Sequence, residues 1–288
     1  MNLPDVVAEL VEQAAGHRPA GHRPVGGGCI NEAARIETPS GPLFAKWKVG
    51  APPGFFEVEA DGLRRLEATG TVRVPTVLGV RDGGACGAIL MSWISPGQGE
   101  GAMVDAGRRL AQLHGQRGLA PGLDRDNVIG ALPQANRAEP GEAWLSFFRR
   151  QRIEALAYRL TASVRRKLEG FPFERYLDDP PGGCALLHGD LWSGNVVCGA
   201  AGDGWFVDPA VYGGHPEVDL AMTRLFGGFT ASFYDAYQEV AGSLDREWTD
   251  RAALLNIYPL LVHVHLFGGG YERQLEAVLD RFGGTGAR

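Results

Sequence analysis

The chain has 288 residues, enough for one large or two small cores, and its 44% hydrophobic and 22% charged content is that of a globular protein. A formal net charge of −6 argues against a general nucleic-acid binder, which carries a basic excess. Cys29, Cys86, Cys184 and Cys198 form no CxxC pair and no even framework, which fits reduced thiols rather than a disulfide scaffold.

The N-terminus "MNLPDVVAELVEQAAG" has no basic opening and alternates acids with apolar residues, which predicts an amphipathic helix over about 3–15 rather than a signal peptide. A turn-rich stretch follows. Ala33–Ile36 and Leu43–Trp47 then read as two strands joined by Pro-Ser-Gly. "GFFEVEADGLRRLEATG" predicts a helix closed by Gly70. "VRVPTVLGVRDGGACGAILMSWI" supplies further strands, the last at Gly87–Met91. After "SPGQGEG" the pattern turns helical, over 102–117, about 144–168, 217–241 and 247–282, with short strands near 196–198 and 205–207. The apolar stretch "LLNIYPLLVHVHLFGGG", broken by Pro259, His263 and His265, falls short of a membrane span. The expected setting is the cytoplasm, with no membrane or nucleic-acid partner. An antiparallel sheet with one main helix, followed by helices, predicts an α+β fold of two lobes, 1–94 and 95–288, with ligand bound in a cleft between them. Glycine makes up 42 of the 288 residues, roughly twice the usual share of about 7%, so tight turns are a theme of the chain.

Four pieces of chemistry fall in order. Gly26 to Asn31, "GGGCIN", stands at the entry to the first hairpin, where glycines let backbone N–H groups approach phosphate oxygens; a plain flexible turn is the alternative. Lys46 shares a strand face with Phe44, and a half-buried lysine needs a carboxylate or an anionic ligand; an exposed edge lysine is the alternative. Lys48, nearer the strand end, is expected in solvent. The helix offers that carboxylate: Phe55, Glu59, Leu63 and Leu66 form one stripe, so Glu59 is the better partner and Glu57 the fallback. Last comes "HGDLWSGNVV". Asp190 and Asn195 are five apart, and the hairpin "VVC"–"GAAGDG"–"WFV" returns Asp208 beside Asn195. That supplies an acid able to take a hydroxyl proton and two oxygen ligands for Mg²⁺, the division of labour that phosphoryl transfer requires.

With those residues placed, the chain resembles the protein-kinase-like small-molecule kinases: Asp190, Asn195 and Asp208 stand where HRDxxxxN and DFG elements stand. It lacks the DFG phenylalanine, a long activation segment and an APE element. Within that superfamily it is similar to the fructosamine kinase (ketosamine 3-kinase) family, through "HGDLWSGN", "DRDNVIGALPQANRAEPGEAWLSFFRRQRI" at 124–153, "HPEVDLAMTRLFGGF" and "NIYPLLVHVHLFGGGY". The resemblance implies a bilobal protein-kinase-like fold and ATP-dependent phosphorylation of the sugar 3-hydroxyl of ketoamines, free or on glycated protein, leading to deglycation. It implies Asp190 as base, Asn195 and Asp208 as Mg²⁺ ligands, Lys46 on the ATP phosphates and Glu59 on Lys46. Gly28, Cys29, Ile30 and Asn31 would cover the phosphates, and Ser92, Trp93 and Ile94 would offer adenine their backbone. A monomer or weak dimer is expected.

Several residues keep two readings. Trp192 stacks on the sugar or packs beneath the loop. Asp219 braces the catalytic loop, faces substrate, or is a helix N-terminal charge. Cys29 is a redox-sensitive thiol or a plain small residue. Two rival functions also stand: a kinase of the same fold acting on an aminoglycoside, choline or a thio-sugar, and a nucleotide-binding pseudokinase. The joint presence of Lys46, Asp190, Asn195 and Asp208 speaks against the latter.

Overall fold

The computed structural model describes residues 3–26 and 31–283. In chain order its elements begin with α1 (Asp5–Ala15), β1 (Gly21–Pro24), β2 (Glu32–Glu37), β3 (Leu43–Val49), α2 (Phe55–Ala68), β4 (Val77–Arg81), β5 (Cys86–Ser92) and α3 (Gly101–Gly115). Next come β6 (Asn127–Ile129), β7 (Leu132–Gln134), α4 (Trp144–Phe148) and α5 (Ala162–Glu169). A π-helical turn (Arg149–Ile153) and a 3-10 stretch (Glu154–Arg159) lie between those two helices. The remainder holds β8 (Ala185–Leu187), β9 (Val196–Cys198), β10 (Gly204–Phe206), β11 (Tyr212–Gly214), α6 (Glu217–Leu225), α7 (Ala231–Ala241), α8 (Trp248–Leu255), α9 (Ile257–Phe267) and α10 (Gly270–Gly283). The chain divides into two compact units. The first comprises Met1–Gln112, Gly194–Ala210 and Thr230–Val240; the second comprises Leu113–Ser193, Val211–Phe229 and Ala241–Arg288.

The first unit is built on an antiparallel sheet of order β1-β2-β3-β5-β4. Strand alternation sorts its side chains. Ala34, Ile36, Ala45, Trp47, Ala88 and Leu90 line one face, where Val7, Leu10 and Val11 of α1 cover them. Each of those α1 side chains contributes about 1.5–3 kcal/mol by leaving water. The opposite face carries Lys46 and its cross-strand neighbour Ile89, and here α2 packs, with Phe56 against Gly87. The helix buries Phe56, Ala60, Leu63 and Leu66, so its apolar stripe starts at Phe56 and not at Phe55, which rests edge-on against the Phe56 ring. No side chain of its own caps α2. Asp82, in the β4–β5 turn, does so instead: its two carboxylate oxygens accept the Phe56 and Glu57 N–H groups at 3.1 and 2.6 Å. The β9–β10 hairpin and α7 complete the unit, with close approaches made at glycine: a Cβ on Gly107 would overlap the Phe233 carbonyl, and one on Gly97 the Gly199 carbonyl.

In the second unit β8 and β11 form a two-stranded ladder, Leu187 opposite Tyr212 and Ala185 opposite Gly214. Gly122 and Gly213 sit where a Cβ would overlap the carbonyls of Asn136 and Ala120. Helix α9 is buried nearly all round (Ile257, Tyr258, Pro259, Leu260, Leu261, Val262 and Val264), as befits a central core helix. Pro259 lies in its first turn, where no N–H is needed. No helix among the described residues is long and apolar enough to cross a membrane.

Several elements differ from expectation. Gly21–Pro24, expected as turn, is an edge strand on β2; "GHRP" has weak strand character, and its proline is tolerated because it sits at a sheet edge. The strands β6, β7, β8 and β11 are three residues each, too short to show alternation. The expected helical stretches are interrupted, by the π-helical turn and 3-10 segment after α4, at Gly227-Gly228, between α8 and α9, and at Gly268. Lys48, expected in solvent, lies with Nζ 5.0 Å over the Phe55 ring.

Two tests follow from this packing. Asp82→Ala removes the α2 cap and should lower stability by about 1–2 kcal/mol in urea unfolding; an unchanged midpoint would mean the cap is idle. At the start of α6, His215 Nδ1 accepts the Glu217 N–H at 3.1 Å, and burial holds its pKa at about 4 in place of 6.5, against an upward pull from Glu217. The folded state therefore binds fewer protons than the unfolded chain between those values. Stability from this site should be full above pH 6.5 and fall toward pH 4 by up to about 1.4 kcal/mol per pH unit. Urea midpoints of wild type and His215→Gln between pH 7 and 4 should show a shallower slope in the variant.

Candidate active site

Lys46 reaches its position because β3 alternation turns it toward α2, where it is 9% exposed. Its Nζ donates to Glu59 Oε1 at 2.9 Å and also pairs with the Asp208 carboxylate. Glu57 takes no part; its carboxylate is 3.9 Å from Arg64. Burial alone would push the Lys46 pKa down, but Glu59 and then Asp208 reverse this and hold it above the ordinary lysine value. At a partly shielded site each such pair is worth about 4 kcal/mol, against a desolvation cost of several kcal/mol per ion, so two carboxylates keep the ammonium charged where one would leave the balance close.

Asp208 is delivered by the β9–β10 hairpin, in which Val196 pairs with Phe206. One residue further on, the Val207 N–H donates to the Asn195 carbonyl at 3.0 Å, which sets the backbones of Asn195 and Asp208 side by side. Asp208 has φ 55°, the only positive φ outside glycine among the described residues. For a residue with a Cβ this is a sparsely occupied conformation, kept where surrounding structure over-determines it. Its side chain is 46% exposed, while Asn195 is buried. Together they offer one anionic and one neutral oxygen donor. That set suits Mg²⁺, which takes few protein ligands and fills its shell with water and phosphate oxygens. No cluster of three or more His, Cys, Asp or Glu residues able to hold a metal occurs among the described residues.

Asp190 lies in the second unit, in the loop that follows β8. Asp219, from the first turn of α6, holds that loop from beneath: its Oδ2 accepts the His188 N–H at 2.7 Å and its Oδ1 the Gly189 N–H at 2.9 Å. Gly189 has φ 82°, which a residue with a side chain would adopt only under strain. Oδ2 also accepts from His114 Nε2 at 3.2 Å. Burial would raise the Asp219 pKa, yet the hydrogen bonds from His114 and the Gly189 N–H hold it below the usual carboxylate value. At 1% exposure, with both oxygens engaged, Asp219 braces the backbone of the loop. The His188 ring accepts the Asp190 N–H at Nδ1, 3.3 Å away, so it too belongs to the scaffold of the loop. Gly228, with φ 90°, packs so closely on Ser193 that a Cβ there would collide with it.

The other predicted positions are spread more widely. Trp192 is half-exposed beside the buried Leu191. Ser92 ends β5 and holds Thr76 through its N–H and its Oγ, and Trp93 stacks under Arg35, 5.4 Å from its guanidinium carbon. Ile94 is half-buried. Asn31 is half-buried, with an Oδ1 that finds no hydrogen bond among the described residues. Gly28, Cys29 and Ile30 lie outside the described residues. His114 was not anticipated; the signal was a titratable residue among the apolar positions Leu110, Ala111 and Leu113 of α3. A cavity of about 350 Å³ in the second unit, lined by Arg149, Ile153, Tyr158, Arg165, Leu168 and Phe173 among others, includes none of the predicted residues.

Comparison with known proteins agrees with this geometry. The profile of the fructosamine kinase family matches residues 4–283. A probable ketoamine kinase of Enterococcus faecium is 41% identical over 266 residues, 89% of this chain and 93% of that protein. A crystal structure from Thermobifida fusca, described as a fructosamine-3-kinase, superposes with a TM-score of 0.83 at 33% identity, covering 96% of this chain and 98% of that one. An aminoglycoside phosphotransferase crystallised with AMP-PNP and hygromycin B, 14% identical with a TM-score of 0.58 over 99% of this chain and all of that one, shares the fold, which is that of the protein-kinase-like phosphotransferases. A loop bearing Asp190, a hairpin returning Asp208 to Asn195 and a family match along almost the whole length lead to one assignment: the chain belongs to the fructosamine kinase family.

Proposed function

We propose that the chain is a ketoamine kinase that transfers the γ-phosphoryl group of ATP to the sugar 3-hydroxyl of a ketoamine, whose phosphorylated sugar then breaks away and frees the amine. The observation that carries this reading is the buried Lys46 ammonium held between Glu59 and Asp208, in a chain whose relatives are named ketoamine and fructosamine kinases. A cation fixed in this way is suited to phosphate oxygens, and the aminoglycoside phosphotransferase of the same fold binds an ATP analogue.

In this reading Asp190 accepts the proton of the attacking hydroxyl as its oxygen bonds to phosphorus and the bond to the ADP oxygen breaks. Lys46 orients the phosphates, and Glu59 fixes Lys46. Asn195 and Asp208 would hold Mg²⁺, which when bound neutralises charge on the phosphate oxygens. His188, Gly189 and Asp219 keep the base in place. Ser92, Trp93 and Ile94 serve the adenine through their backbone, Gly28 to Asn31 cover the phosphates, and Trp192 serves the sugar. Free glycated amines and glycated protein are both substrates of suitable chemistry.

The test is phosphate transfer from Mg-ATP to a fructosamine, a ribulosamine, kanamycin and choline, read by ³¹P NMR and mass. Ketoamine phosphate should form, and Asp190→Asn should reduce kcat by about 10²- to 10⁴-fold. Transfer to kanamycin or choline alone would replace the substrate assignment, and ATP binding without transfer to any of the four would favour a pseudokinase. Glu59→Gln, which leaves Asp208 as the one carboxylate on Lys46, should raise the KM for ATP about tenfold, the loss expected when the acceptor of a charge-assisted hydrogen bond becomes a neutral one.

A further inference from the structure

We propose that Arg152 is a positioning residue of this kinase: it fixes the β8–β11 ladder and thereby the loop that carries Asp190. The inference rests on the reading of Asp190 as the base.

Arg152 lies in the π-helical turn after α4 and is completely buried. Among the described residues no carboxylate pairs with it, and its Nε makes no hydrogen bond. Its contacts are of two kinds. The guanidinium carbon sits 4.0 Å over the ring of Tyr212, 4.9 Å from that of Phe147 and 5.4 Å from that of Tyr258. The two terminal nitrogens donate at 2.6 Å to the Ala135 carbonyl and to Asn136 Oδ1. From Asn136 a buried relay continues: Asn136 Nδ2 donates to Asn127 Oδ1, and Asn127 Nδ2 donates to the Val211 carbonyl at 2.9 Å. Gln134 joins the relay by donating to Asn127 and accepting from the Tyr258 hydroxyl.

Both routes end on one strand. Tyr212, under the guanidinium, is the first residue of β11, and Val211, held by Asn127, immediately precedes it. Tyr212 pairs with Leu187, the last residue of β8, after which the chain reads His188-Gly189-Asp190. Upstream along the chain, Val211 follows Asp208 by three residues. Arg152 thus grips the ladder at the point from which the Asp190 loop leaves and into which the Asp208 segment runs. A buried cation without a counter-ion costs stability, and an apolar residue of similar size often serves packing better. What the guanidinium supplies that an apolar side chain cannot is a rigid fork joined to a flat stacking surface, which fixes both Asn136 and Tyr212 in direction.

The test measures kcat and KM for ATP and a ketoamine, with thermal unfolding, in Arg152→Met, Arg152→Lys, Asn127→Leu and the double variant Arg152→Met/Asn127→Leu. Misplacing the reacting groups by about an ångström costs on the order of 10²-fold in rate. Positioning therefore predicts a kcat lower by about 10- to 100-fold, with the KM for ATP within about twofold and partial recovery in Arg152→Lys. The double variant should be no slower than Arg152→Met alone, because the relay through Asn127 is one of the two routes by which Arg152 acts. Unchanged kcat per folded molecule, or losses that multiply in the double variant, would overturn the proposal. If Arg152→Met does not fold, Arg152→Lys and Asn127→Leu carry the comparison. A wild-type protein that phosphorylates no ketoamine removes the proposed function itself; an active wild type with unaffected variants removes only the role of Arg152.

Discussion

The first unit depends on keeping one ammonium charged where water is largely excluded. Lys46 is too buried to be tolerated alone, Glu59 beside it is too buried to stay charged without it, and the half-exposed Asp208 adds the second carboxylate. That mutual need joins three separate parts of the chain: the central strand β3, helix α2 and the exit of the β9–β10 hairpin. Everything nearby can be read as support for it. Asp82 fastens the start of α2, one turn ahead of Glu59. The hairpin register and the Val207–Asn195 bond bring Asp208 to its place.

The second unit solves a different problem, that of holding a short polar loop rigid. A loop of the sequence His-Gly-Asp has few side chains with which to pack. The structure therefore bonds its backbone to a buried carboxylate, and bonds that carboxylate to a buried histidine. Aspartate suits the task because one group accepts several N–H donors at once, and His114 offsets the cost of burying it. The loop is also clasped from the side by Gly228 against Ser193.

Much of this was legible in the sequence, for identifiable reasons. The pairing of Lys46 with Glu59 follows from two periodicities, 2 for the strand and 3.6 for the helix, each strong over its own segment. The return of Asp208 to Asn195 follows from apolar triplets on either side of a polar, glycine-containing turn. Other features had no local signature. Strand β1 is held by its pairing with β2 rather than by its composition. The three-residue ladder of β8 and β11 exists only because distant segments meet. Asp219 could be read three ways because a carboxylate in the first turn of a helix is stabilised wherever it points. The polar residues of 124–153 carried the family likeness plainly, but nothing in their order disclosed that Arg152, Asn136 and Asn127 form one relay.

The glycine content has a meaning that composition alone does not convey. Gly97, Gly107, Gly122 and Gly213 are places where two backbones come together so closely that the hydrogen of a glycine fills the gap. At such positions even alanine requires a main-chain shift, whereas a core leucine can usually be exchanged for a neighbour in size. Drift in this chain is thus constrained in an inverted way: its large apolar residues are the more negotiable part, and its smallest residues set how far related sequences can diverge without giving up the fold.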